Sequence, residues 1–350
     1  YIQTQAMDAA TNTESPASTF WFKYDVTRPT SAITVPASGA YFSDIGQSFS
    51  GTYFDNFAGL TYGAGSSGLE ILLWNKNSNL YWQGGGSWLS SQPGDWPNAD
   101  VWVSSWSLTS PALTDAVDYV LVIRATDLSG LAQTDFTIGK ASITFTCDRG
   151  YPQLYITKPD VDGRYRKTLT VLSGTSTDGS GSGVAKVEVE IKQLSDNKYW
   201  REGTGLFDTL SSSYNICSGV NPFTYSGFSG QLVSGTTYTI TVKGNDGVNL
   251  STTNVQRINI LFDNTVPVST VTIPGIMTYW GIQLLANLSG TAKDNAGAGG
   301  IASDILNTGD GVEVMVRDVT GSKYWTGSAW QASEPGDWPD GSITWSDPRA

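Results

Sequence analysis

The sequence predicts an all-β fold of antiparallel β-sandwiches in tandem, set in a linear array, and three observations predict it. Gly, Ser, Thr and aromatic residues are abundant while charged residues make up 15% of the chain, which suits short strands joined by polar turns rather than long surface helices. Runs such as residues 187–191 and 238–242 alternate in polarity, so one side chain points into a core and the next into water. A set of landmarks recurs in phase along the chain, and no stretch sustains a helical period.

The repeat is anchored by three segments that align, residues 22–36, 145–159 and 262–274. Asp25, Asp148 and Asp263 stand 123 and then 115 residues apart. Pro29, Pro152 and Pro267 follow them, and then Pro36, Pro159 and Pro274. Ser-Gly-Thr comes next, beginning at Ser50, Ser173 and Ser289, and leads to Asp55, Asp178 and Asp294 in small-residue turns. An alternating strand then carries Glu70, Glu188 or Glu313, and eleven residues after that glutamate stands Tyr81-Trp82, Tyr199-Trp200 or Tyr324-Trp325. Gly-Asp-Trp-Pro occupies residues 94–97 and 336–339 and is missing from the second repeat. A late strand ends in a second loop at Asp127 and Asp246. Each full repeat reads as about seven short strands punctuated by Gly, Asn, Asp and Pro. The expected boundaries are therefore residues 28–148 and 149–264 for two complete repeats. Residues 1–27 are the last two strands of a preceding or neighbouring repeat, and residues 265–350 an incomplete third.

The totals narrow the function. A chain of 350 residues has room for two to four domains at roughly 100–200 residues each. Its net charge of −12 repels phosphate backbones and anionic lipid, so neither nucleic acid nor a membrane surface is expected as a partner, and divalent cations are. No apolar run reaches the roughly 20 residues of a membrane helix. The first residue is Tyr1 and no signal peptide is present, which reads as a processed chain or a piece of a longer one. Cys147 and Cys217 are too few for a disulfide scaffold, and the sequence leaves both one bridge and two separate thiols open.

The Asp-x-Thr-x-Pro junctions at residues 25–29 and 263–267, the Ser-Gly-Thr turns and the Arg-Ala-Thr-Asp loop at residues 124–127 resemble the bacterial immunoglobulin-like repeats of very long surface proteins and adhesins. The likeness covers nearly the whole chain. It implies Ig-like β-sandwiches, an extracellular, cell-surface location and calcium held at the repeat junctions. The second repeat departs from the pattern, since residues 148–152 lack the threonine.

No enzyme is expected. The absence of histidine excludes Ser-His-Asp and Cys-His nucleophile activation and histidine-ligated zinc. The carboxylates recur with the repeat, as structural groups do. Asp8, Asp127 and Asp246 precede a repeat's last strand, Asp25, Asp148 and Asp263 end it, and Asp55, Asp178 and Asp294 lie in the next repeat's turn. Aspartates from several loops meeting at each junction match the oxygen ligands calcium takes, and no other cofactor is expected. The competing explanation is that each carboxylate bonds its own backbone in an Asx-turn and needs no metal. The loop residues Trp88, Trp96, Trp330 and Trp338 are candidates for glycan or lateral contact, whereas the Tyr-Trp pairs read as core packing. Two Asn-Leu-Ser sequons, at Asn249 and Asn287, fit a secreted surface.

The leading functional expectation is an extracellular structural repeat of a surface fibre, stalk or sheath, joined head-to-tail to copies of itself or to adjoining repeats. An adhesin or carbohydrate-binding array is the alternative, and the spacer of a secreted enzyme a third. The two partial segments carry the sharpest expectation. Residues 1–27 supply the strands that residues 265–350 lack, so one molecule is expected to complete its neighbour by strand addition, unless the same strands are joined covalently in a longer polypeptide.

Overall fold

The computed structural model describes residues 1–252, 255–276, 288–295, 311–326 and 328–336. The chain divides into two compact units. The first is Tyr1–Pro152 with the loops Asp178–Gly183 and Asp246–Leu250, and the second is Gln153–Thr177, Val184–Asn245 and Ser251–Ala350. Both are all-β, as the sequence predicts.

The first unit opens with a hairpin, β1 (Ile2–Thr4) and β2 (Ser18–Phe20). Its sandwich follows as β3 (Thr30–Val35), β4 (Tyr41–Phe42), β5 (Ser48–Phe54), β6 (Leu69–Asn75), β7 (Leu80–Trp82), β8 (Trp88–Leu89), β9 (Asp100–Trp102), β10 (Ser105–Thr109), β11 (Asp118–Ala125) and β12 (Ser142–Cys147). One sheet has the order β3-β5-β10-β9 and the other β4-β12-β11-β6-β7-β8. Strands β6 and β11 lie in the middle of the larger sheet, and the alternation of β11 buries Tyr119, Leu121, Ile123 and Ala125 between the layers. The aromatic centre is Phe42, Phe49 and Phe145, whose ring centroids are 5.2–5.7 Å apart.

The second unit repeats this plan in β13 (Gln153–Lys158), β14 (Arg164–Arg166), β15 (Leu172–Thr177), β16 (Val184–Gln193), β17 (Lys198–Arg201), β18 (Leu206–Thr209), β19 (Asn215–Ile216), β20 (Phe223–Tyr225), β21 (Thr236–Asp246) and β22 (Gln256–Phe262). Its sheets run β13-β15-β20 and β14-β22-β21-β16-β17-β18, with β19 on β16. The same unit also holds β23 (Val268–Ile273), β24 (Ser289–Lys293), β25 (Arg317–Asp318), β26 (Lys323–Trp325) and β27 (Trp330–Gln331), paired as β23-β24 and β25-β26-β27.

Both sandwiches carry a buried tyrosine whose hydroxyl accepts a backbone N–H from five residues upstream. Tyr119 accepts from Thr114 at 2.9 Å and Tyr238 from Val233 at 2.8 Å. This tyrosine corner is a hallmark of Ig-type sandwiches. One detail departs from uniformly antiparallel pairing: β4 runs parallel to β12, and β14 parallel to β22. Pro36 and Pro159 have no N–H to continue the ladders of β3 and β13. The chain leaves the first sheet there and joins the second alongside its last strand.

The Ser-Gly-Thr landmark has a packing cause. A Cβ on Gly51 would meet the Ala32 carbonyl at 1.9 Å and the Trp106 indole at 2.6 Å, and one on Gly174 would meet the Phe223 ring at 2.2 Å. The glycine lets a core aromatic lie flat on the neighbouring strand. Trp82 and Trp200, the second members of the Tyr-Trp pairs, are buried in their cores. Cys147 and Cys217 are free thiols in separate cores, and burial pushes each up to about 12. Gly51→Ala and Gly174→Ala should each lower stability by about 1–3 kcal/mol through overpacking. Equilibrium urea unfolding would measure this as a lower midpoint at unchanged slope.

Candidate metal centres

The late-strand loop is built the same way wherever it occurs. Asp127 Oδ1 accepts the N–H groups of Ser129 at 2.8 Å and Leu131 at 2.9 Å. Asp246 Oδ1 accepts those of Val248 at 2.9 Å and Leu250 at 2.8 Å. Asp8 Oδ1 accepts those of Ala10 and Asn12, both at 2.9 Å. In every case the aspartate's own N–H donates to the carbonyl four residues on, at 3.0–3.1 Å. One carboxylate oxygen therefore fastens the loop, as in an Asx-turn. In Asp127 and Asp246 the other oxygen is left over. Asp127 and Asp246 are almost wholly buried, and their Oδ2 atoms have no hydrogen-bond partner.

Asp127 and Asp246 each belong to a cluster of three aspartates, both clusters within the first unit. Asp25, Asp55 and Asp127 each place a carboxylate oxygen within 4.8 Å of the others, and so do Asp148, Asp178 and Asp246. In the first, Asp25 Oδ1 accepts from Thr27 N–H at 2.9 Å and hydroxyl at 2.7 Å, while its Oδ2 accepts from Ala58 N–H at 3.0 Å. Asp55 Oδ2 takes the amides of Phe57 and Gly59, and its buried Oδ1 has no partner. In the second, Asp148 Oδ1 takes the Gly150 amide at 3.0 Å and Oδ2 the Ser182 amide at 2.7 Å. Asp178 Oδ2 takes Gly183 N–H at 2.8 Å, and its Oδ1 is again buried without a partner. The second repeat thus keeps the junction turn without a threonine, because Gly150 supplies the same amide as Thr27. Gly181 is a ligand-cradle residue that the sequence comparison missed. A Cβ there would lie 2.5 Å from Asp178 Oδ2 and 2.8 Å from Asp148 Oδ1.

Three converging carboxylates, two of them in each cluster with a buried oxygen that has no hydrogen bond, fit a hard divalent cation. An isolated buried carboxylate is costly unless paired or metal-bound, and calcium takes six to eight oxygens from carboxylates, carbonyls and water. Burial pushes the Asp178 carboxyl up to about 6 against the Gly183 amide, with the negative charges of Asp148, Asp246 and Asp115 adding to the rise. Burial also raises Asp246, opposed by the Leu250 and Val248 amides. Asp25 is held below the usual carboxylate range by its Thr27 bonds.

Asp263 and Asp294 repeat part of this arrangement in the second unit. Both are buried, and Asp263 Oδ1 accepts the Thr265 N–H at 3.1 Å. The Thr265 hydroxyl lies 2.6 Å from that oxygen and 2.8 Å from the Asn295 carbonyl, tying the strand end to the Asp294 turn. Asp8 lies in the exposed N-terminal hairpin, where Oδ2 accepts from the Asn12 side chain at 2.8 Å.

The tryptophans divide. Trp88 faces inward, half-buried, 5.9 Å from Tyr119. The guanidinium of Arg124 lies 4.6 Å over the Trp96 ring and also donates to Glu70, at 2.9 Å from Nε and 2.7 Å from Nη2. In the second repeat Lys243 lies 3.7 Å over Tyr214 and 3.9 Å from Glu188. Tyr214 therefore replaces Trp96 where Gly-Asp-Trp-Pro is missing, and Trp96 is engaged as packing for an ion pair. Trp330 is exposed, 5.6 Å from Trp325. Trp338 and the Asn287 sequon lie outside the described residues, while Asn249 is exposed.

No family model matches the chain, and no curated protein matches it. Solved structures with some likeness include a Ca2+-stabilized adhesin with which an Antarctic bacterium binds ice, 12% identical over 84% of this chain with a TM-score of 0.26. Another is a 1.5-MDa bacterial ice-binding adhesin, 14% identical over 69% with a TM-score of 0.27. A third is the FN1-FN3 region of chicken CNTN1, 10% identical over 73% of this chain and 75% of that one, with a TM-score of 0.29. The match spans 65% of each adhesin chain.

The raised Asp178 carboxyl gives the metal-free protein a pH dependence of definite sign. Between the unfolded value near 4 and the folded value of about 6, the folded state holds more protons than the unfolded chain. Stability in chelator should therefore fall as pH rises through that window. Thermal melts from pH 4 to 7 in EGTA test this, and Asp178→Asn should flatten the slope.

Proposed function

We propose that this chain is a calcium-binding, non-enzymatic segment of an extracellular structural repeat protein, one of the sandwiches joined head-to-tail in a surface fibre, stalk or sheath. The observation that carries the proposal is the recurrence, in phase with the repeat, of three-aspartate clusters in each of which two carboxylates keep a buried oxygen without a hydrogen bond. Asp25, Asp55 and Asp127 would hold one ion, and Asp148, Asp178 and Asp246 another. A bound calcium supplies the positive charge and the missing ligand bonds. The side chains hold the loops open to it through their second oxygens. No helix among the described residues is long and apolar enough to cross a membrane. Sites built from loop carboxylates on extracellular modules typically have calcium dissociation constants of about 10⁻⁴–10⁻³ M, which suits a secreted surface.

A glycan-binding role for the first repeat is the second reading. A hollow of about 420 Å³ is lined by Trp88, Asn75, Asn77, Ser78 and Thr114, with the buried Tyr119 at its floor, which offers the half-buried indole and uncharged polar groups to a sugar. Changes in tryptophan fluorescence on titration with oligosaccharides, lost in Trp88→Phe, would support it.

Calcium should raise the melting temperature of the wild-type chain, with about 2.7 kcal/mol of stabilisation at a hundredfold excess over the dissociation constant. Asp127→Asn and Asp246→Asn should each remove part of this gain, and magnesium should reproduce little of it. An unchanged melting temperature between EGTA and 10⁻² M calcium would leave the aspartates as turn formers only.

A further inference from the structure

The second cluster lies beside a carboxylate that its turn does not need. Two consecutive backbone amides follow Asp148. The Gly150 N–H donates to Asp148 Oδ1 at 3.0 Å, and the Arg149 N–H donates to Asp115 Oδ1 at 2.7 Å. The same two amides recur after Asp263 in the second repeat. There the Thr265 N–H goes to Asp263 Oδ1 at 3.1 Å, and the Asn264 N–H goes to the Ser234 hydroxyl at 2.9 Å. Asp115 and Ser234 are counterparts, each four residues before its corner tyrosine, Tyr119 or Tyr238. A neutral hydroxyl therefore takes this backbone bond as well as a carboxylate does.

The two residues differ in what they do to the aspartate that ends the strand. The Ser234 hydroxyl also donates to Asp263 Oδ1, at 3.0 Å. An ionised Asp115 has no proton to donate, so towards Asp148 it offers only like charge. That charge is not matched by Arg149. The arginine side chain turns instead to the buried Asp44 carboxylate, 3.2 Å from Nε, and to the Leu113 carbonyl, 3.1 Å from Nη1. Among the described residues no cation forms an ion pair with Asp115. Asp115 is exposed and is not one of the three converging carboxylates, whereas Asp148 and Asp246 are buried. Its charge nonetheless reaches them, since it adds to the rise of the Asp178 carboxyl. Like charge beside an empty cluster is repulsive, and a divalent cation in the cluster turns it into attraction.

We infer that Asp115 sets the calcium affinity of the second cluster without being one of its ligands, through its charge rather than through the turn. This rests on the reading above that Asp148, Asp178 and Asp246 hold calcium, which the buried Asp246 Oδ2 without a hydrogen bond supports. Because Asp115 is exposed, salt screens its contribution, so the affinity of this site depends on ionic strength. The ligand oxygens themselves, packed within 4.8 Å, are screened far less.

Calorimetric titration of the 350-residue chain with calcium, at about 0.01 M and about 1 M KCl, tests it. The Debye length falls from about 30 Å to about 3 Å between these conditions. At the lower salt Asp115→Ser should weaken calcium binding about three- to tenfold, and at the higher salt it should match wild type. In EGTA the same variant should melt at or above the wild-type temperature, the opposite of what losing a structural bond would give. Asp115→Asn keeps an acceptor for the Arg149 amide and should behave alike, so it serves if the serine variant fails to fold. The effect should persist in an Asp127→Asn background, which disables the first cluster, and vanish in Asp246→Asn, which disables the second. Equal affinity of wild type and variant at low salt, a difference that salt does not change, a lower melting temperature in EGTA for both variants, or an effect that survives Asp246→Asn would each overturn the inference while calcium binding itself stands. A wild-type chain that takes up no calcium overturns the underlying reading as well.

Discussion

A carboxylate taken out of water must be matched by something, and the pole of each sandwich is arranged around that requirement. Asp127, Asp148 and Asp246 are all essentially buried, and the energetic cost of leaving such a charge unmatched is large. Backbone amides match part of it. Two N–H groups converge on one oxygen of Asp127 and two on one oxygen of Asp246, fixing the loop while neutralising half of the carboxylate. Glycine at position 181 leaves room beside the Asp148 and Asp178 carboxylates. In each cluster three carboxylates come within 4.8 Å of one another, and two of them keep a buried oxygen without a hydrogen bond. A cation of high charge density, as proposed above, would relieve this repulsion.

The same scaffold tolerates different chemistry where burial is incomplete. On the outer face of the larger sheet, Tyr81, Tyr199 and Tyr324 stand opposite Trp74, Lys192 and Arg317 in the same register. One pair stacks ring on ring at 5.9 Å, and the other two place a cation over the ring at 5.4 and 5.2 Å. A cross-strand neighbour of an aromatic face needs only to cover it, by dispersion or by cation–π attraction. The Trp96–Arg124–Glu70 and Tyr214–Lys243–Glu188 groups show the same freedom. The buried loop aspartates show none, because Asp127 and Asp246 each fasten their loop through the same pair of backbone amides.

This difference explains what could be read in the sequence. The aspartates were legible because each is constrained by both a turn and a charge cluster, so each recurs in phase. The Asx-turn uses one oxygen of Asp127 and one of Asp246 and leaves the other without a hydrogen bond, so the turn does not compete with the proposed metal for the same atom. The Ser-Gly-Thr signature was legible for a similar reason, since only glycine fits beneath Trp106 and Phe223. Tyr214 was not recognisable as the counterpart of Trp96, because the constraint there is an aromatic face over a cation and no neighbouring motif reports it. Trp88 looked like an open loop residue but faces Tyr119, since a two-residue strand gives no alternation from which to judge direction. The parallel pairing of β4 and β14 was likewise hidden, because their segments are too short to carry a period of their own.

Net charge and local charge act on this protein at different ranges. The overall excess of acidic residues, −12 at neutral pH, is spread over the surface and is screened by ordinary salt within a Debye length of about 8–10 Å. Monovalent salt acts far less on the clusters, because their oxygens lie within 4.8 Å of one another and several are closed off from water. Diffuse counterions cannot stand between them. Removing the repulsion requires an ion that gives up its own water in exchange for ligand oxygens. That exchange favours calcium over magnesium, which dehydrates reluctantly and demands a stricter octahedron. In the proposed sites that preference would follow from burial and loop geometry together, with no ligand needed beyond aspartate and backbone.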